Sequence, residues 1–116
     1  MIRREISTTA TDAELSGVIL DPELSAVVLT AGRRGEPAAL LLPYQAAAEL
    51  AAEHGQADLP SFRLGNALAI LLDLLWRATR LGQGSAITYQ GRPVAAIVPT
   101  HWNSAALTTT YAPKGN

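Results

Sequence analysis

The sequence predicts an α+β fold assembled from two diverged copies of one unit, each a helix, an antiparallel β-hairpin and a second helix. Three observations predict it. The segment VVLTAGRRGEPAALLLP, Val27 to Pro43, returns as AITYQGRPVAAIVP, Ala86 to Pro99, each reading strand, glycine turn, proline, strand, proline. A near-constant offset of 56 positions lays Leu71 on Leu15, Pro93 on Pro37 and Pro99 on Pro43. The chain has 116 residues, 48% of them apolar, enough for one compact domain or two very small interlocked ones.

Each element follows from local signals. In the first copy, a strand near the N-terminus leads into TDAELSGVIL, where Thr11 or Asp12 is the N-cap. Ala13, Leu15, Val18 and Ile19 fall at helical spacing there, and Asp21-Pro22 is the stop. Strands are expected over Ala26 to Thr30 and Ala38 to Leu42, with Gly35 supplying the positive φ of the reversal and Pro37 starting the return strand. Pro43 ends that strand and opens an alanine-rich helix, Tyr44 to Glu53. The polar joint EHGQAD then separates the copies, giving units at 1–53 and 60–108, a linker at 54–59 and a short tail at 109–116.

In the second copy a helix is expected from near Ser61 to the glycines at 82 and 84. Its only polar stripe is Asn66, Asp73, Arg77 and Arg80, so it must be covered by the first copy, a second chain or both. Trp76 is expected in the core of that helix packing, and Trp102 on a surface that meets a partner. Strands at Ser85 to Tyr89 and Val94 to Val98 flank Gly91, and a brief helix from Trp102 to Leu107 follows Pro99.

Composition excludes several chemistries. There is no cysteine, hence no disulfide, thiolate metal site or cysteine nucleophile, which fits a reducing cytoplasm. His54 and His101 stand far apart and read as lone surface histidines, no serine lies in a G-x-S-x-G or S-x-x-K setting, and no cofactor is expected. The glycines of Leu81 to Ser85 follow a helix and precede a strand, the reverse of a phosphate loop. The apolar run from Ala67 to Trp76 is half the length of a membrane span and is broken by Asp73, so neither a membrane nor export is expected. Net charge is −1, yet every acidic residue lies at or before Asp73, leaving Arg77, Arg80, Arg92 and Lys114 as a local positive field.

The stretches ISTTATDAELSGVIL, VVLTAGRRGEPAALLLPYQAAAEL and LAILLDLLWRATRLGQGSAITYQGRPVAAIVP together resemble two tandem copies of the N-terminal domain of the Phd/YefM antitoxin family. The resemblance covers most of residues 2 to 108. It implies an intramolecular pseudo-dimer that binds operator DNA as a non-enzymatic, autoregulatory transcriptional regulator of a toxin–antitoxin system, with homo-oligomers and a toxin as partners. By position, Arg3, Arg4, Arg33, Arg34, Arg63 and Arg92 become the phosphate or base contacts, arginine's fork of donors matching phosphate oxygens and a guanine edge. Only SAALTTTYAPKGN stands where the family's toxin-binding tail belongs. The alternative is a protein-interaction or scaffold module that keeps the fold without DNA, gripping its partner with Tyr44, Leu50 and Trp102.

Overall fold

In the computed structural model, which describes residues 4–103, the apolar residues of the strands divide between two cores. Val27 and Leu29 of β2 (Val27–Ala31) and Ala39 and Leu41 of β3 (Glu36–Pro43) join one core, whereas Val28, Leu40 and Leu42 join the other. Likewise Ile87 of β5 (Ser85–Tyr89) and Ala95 and Ile97 of β6 (Arg92–Val98) face the first core, and Ala96 and Val98 the second. Strands buried on both faces read as unbroken apolar runs, which is why the sequence shows ALLL and AAIV rather than alternation.

Helices cover both faces. The first core is closed by α1 (Asp12–Ile19), α3 (Leu64–Ala69) and α4 (Leu71–Trp76), the second by α2 (Tyr44–Glu53) and a 3-10 turn, Thr100–Asn103. The fold is therefore mixed α+β, with four α-helices and one six-stranded sheet, ordered β1-β2-β3-β6-β5-β4, among the described residues. The outer strands β1 (Glu5–Ser7) and β4 (Ser61–Arg63) pair in parallel with β2 and β5. All other pairings are antiparallel.

The sheet has an approximate two-fold relation at its centre. Across β3 and β6, Leu41 pairs with Ile97, flanked by Leu40 with Val98 and by Leu42 with Ala96. Residues 40, 41 and 42 stand 56 positions from 96, 97 and 98, so the flanking pairs exchange under the repeat while the Leu41–Ile97 pair maps onto itself. Matching register shifts fall between Leu29 and Thr30 and between Ile87 and Thr88, so both hairpins carry the same irregularity.

Two expectations need correction. The long second helix does not begin at Ser61: Ser61–Arg63 is extended and pairs with Ala86, Ile87 and Thr88, as β1 pairs with β2. It is also not continuous. Ile70 leaves helical geometry (φ −112°, ψ 25°) between α3 and α4, the chain then widens into a π-helical turn over Arg77–Leu81, and Gly82 ends it at φ 65°. The offset between the copies grows in this stretch, since Leu75 stands 56 positions from Ile19 but Ser85 stands 58 from Val27.

The other correction concerns the tryptophans. Trp102 is buried in the second core, 4% exposed, while Trp76 is 52% exposed on the outer side of α4. Leu71, Leu74, Leu75 and Ala78 supply the buried side of that helix, leaving Trp76 turned outward. No described helix is long and apolar enough to cross a membrane.

Candidate nucleic-acid interface

Both hairpin turns carry exposed arginines. In the first, Gly32 and Gly35 take φ of 79° and 63°, and the Gly35 N–H donates to the Gly32 carbonyl at 3.3 Å. The intervening Arg33 and Arg34 are thereby held outward and exposed, with Glu36 beside them. The second turn is two residues shorter, Gln90 and Gly91 with φ of 54° and 78°, a pattern matching the twist of a two-residue hairpin. Its flanks are Tyr89, paired across the ladder with Arg92, and both are exposed.

Strand direction sets the spacing. Because β3 and β6 are antiparallel, the turns that precede them lie at opposite ends of the sheet. Glu36 is five residues before Leu41, and Arg92 is five before Ile97. At about 3.3 Å per residue the turns stand on the order of 33 Å apart along the strands. The molecule's longest dimension is 43 Å.

The remaining arginines are scattered. Arg63 closes β4 opposite Thr88 and so shares the Arg92 end; it is the N-cap residue of α3, with extended backbone, rather than part of a helix. Arg4 lies at neither end: it precedes β1 on the far edge of the sheet, level with the central Leu41–Ile97 pair, where its carbonyl accepts from the Val28 N–H at 2.8 Å and its guanidinium meets Asp21 at 3.8 Å. Arg77 is held by Asp73 at 3.1 Å and lies over the Phe62 ring, so part of the expected positive field is offset. Neither ion pair between described residues involves Arg33, Arg34, Arg63, Arg80 or Arg92. Arg3 and Lys114 lie outside the described residues.

Of the expected protein-contact residues, Tyr44 and Leu50 are half-buried, Leu50 packing on the second core, and Trp102 is withdrawn from the surface. The histidines are not isolated. The His54 ring stacks on Trp102 at 5.4 Å, meets His101 edge-on at 5.8 Å, and donates from Nδ1 to the Leu50 carbonyl at 2.9 Å. No group of three or more potential metal ligands occurs among the described residues. The Leu81 to Ser85 segment is a helix end followed by β5, with no helix behind it to receive a phosphate. Sequence reading missed Tyr89, whose only signal was its place one step before the turn.

No protein-family model, curated protein or solved structure matches the chain.

Proposed function

We propose that the chain is a non-enzymatic, antitoxin-like transcriptional regulator that grips duplex DNA with its two hairpin turns. One observation carries the reading: turns bearing Arg33 and Arg34 on one side and Arg92 on the other are related by the two-fold register of the sheet. Their separation, on the order of 33 Å, is close to the roughly 34 Å of one B-DNA turn, the spacing at which two-fold proteins meet successive half-sites. The likeness to Phd/YefM domains supports the same reading, one chain supplying both halves of what that family builds from two. Arg63 adds a second cation beside Arg92, whereas Arg4, already engaged by Asp21, contributes less. The likeness extends to a toxin as protein partner.

The test is titration of the full chain against duplexes from its own upstream region and against random fragments, over a salt series. Tight binding to the upstream region and a steep loss of affinity with salt are expected, because bound arginines displace condensed counterions. Arg33→Glu with Arg34→Glu, or Arg92→Glu alone, lowers affinity at least about tenfold, and all three together abolish binding. Absence of binding at low salt, or indifference to these substitutions, overturns the reading.

The second reading, a protein-interaction module, is favoured by the apolar side chains exposed on α4. On that reading Trp76→Ala costs a captured partner more affinity than any arginine substitution.

A further inference from the structure

The outer side of α4 and the π turn is unusual for a protein this small. Leu72, Trp76 and Leu81 are 75%, 52% and 50% exposed, and they are three of the four large apolar residues exposed among those described. Ala69, Asp73 and Arg80 are exposed alongside them, while Leu71, Leu74, Leu75 and Ala78 point into the core.

The order of this stripe is complementary to its own reverse. If each residue is set against the one whose number brings the sum to 153, Leu72 meets Leu81, Asp73 meets Arg80, and Trp76 falls next to the axis beside its own copy, while Arg77 stays with Asp73 and Phe62 of its own chain. Apolar faces apolar and acid faces base. Only an antiparallel copy of the same helix reads the stripe in that order, and a two-fold interface requires such self-complementarity. The charges are placed for it: Asp73 binds Arg77 of its own chain through Oδ2 and Nε, leaving Oδ1 for an incoming Arg80, and Arg80 takes part in neither described ion pair.

We infer that two copies of this chain associate through α4 and the π turn, antiparallel about a two-fold axis between Trp76 and Arg77. The contact spans Leu72 to Leu81, ten residues and about 15 Å of helix, which places it at the small end of specific interfaces. The dimer is independent of DNA.

The experiment is the mass of the full chain by sedimentation or light scattering without DNA, over the micromolar range. Mass is expected to rise from 12.2 kDa toward twice that value with concentration. Leu72→Ser and Trp76→Ser each weaken association about tenfold or more while leaving the melting temperature near that of the parent, since both side chains are exposed. Charge swaps test the register. Asp73→Arg alone and Arg80→Asp alone each set like charges together and keep the chain monomeric. An equimolar mixture of those two variants restores the dimer, because both facing pairs are again opposite in charge. A chain that stays monomeric throughout, a dimer indifferent to Leu72→Ser and Trp76→Ser, or a mixture that fails to associate overturns the inference; none of these results bears on hairpin-mediated DNA binding, which the salt titration reads separately.

Discussion

Gly84 stands where a methyl group would crowd its neighbours: a Cβ there would lie 3.0 Å from Leu59 Cδ2 and 3.1 Å from the Trp102 ring. Leu59 can rotate away, but Trp102 is buried and covered by His54. Gly84→Ala is therefore expected to lower stability by about 1–3 kcal/mol through overpacking, read as a reduced urea midpoint at unchanged slope. The same glycine anchors the connection between the halves, since Gln56 accepts from its N–H at 2.8 Å and donates to its carbonyl at 3.0 Å, imitating a strand partner. Glu14 gives a pH-dependent prediction. Thr11 donates to its carboxylate from the backbone N–H and from the hydroxyl, while the Glu14 N–H returns a bond to Thr11 Oγ1, completing a capping box. Those bonds, the backbone one foremost, hold the Glu14 carboxyl below its ordinary range. A depressed folded-state pKa stabilises the fold above the unfolded value and ceases to do so as pH falls through the folded one. Glu14→Gln should thus reduce stability at neutral pH and flatten its fall between neutrality and strong acid, as followed by thermal melts across pH.

At the level of elements, the second hairpin carries a local conflict: Gln90 adopts φ 54°, a region that costs an ordinary side chain and suits asparagine or glycine. Gln90→Gly should raise stability by about 0.5–1 kcal/mol by relieving that strain, which a thermal melt would check. The hairpins, α1 and α2 were legible because their signals are local: glycine at each reversal, proline at strand ends, and a threonine or aspartate cap at the start of α1. The arginines of the turns were located for the same reason. β4 was not legible, because Ser61, Phe62 and Arg63 hold one apolar residue and become a strand only by pairing with β5. The break at Ile70 and the outward turn of Trp76 escaped because a helix apolar on nearly every side has no periodicity to say which face is buried. Trp102 escaped because its burial depends on a cleft walled by Gly84 and His54, both distant in sequence.

Across the whole molecule, β3 and β6 make one sheet of the two halves, and Leu41 with Ile97 sits at the junction, buried in the core that α1, α3 and α4 close. Neither half can lose its structure without exposing the other, so urea unfolding is expected as one transition, with circular dichroism and tryptophan fluorescence superimposing. Leu41→Ala should cost about 2–5 kcal/mol and shift both signals together; separate midpoints would show the halves to be independent. Covalent fusion across that central pairing has a further consequence. Two separate chains meeting along β3 and β6 would part on dilution, since their union would obey mass action. Here the second half arrives at an effective concentration set by the tether through residues 54–60, and total protein concentration does not enter. The hairpin turns keep their separation when only a few copies of the chain occupy a cell.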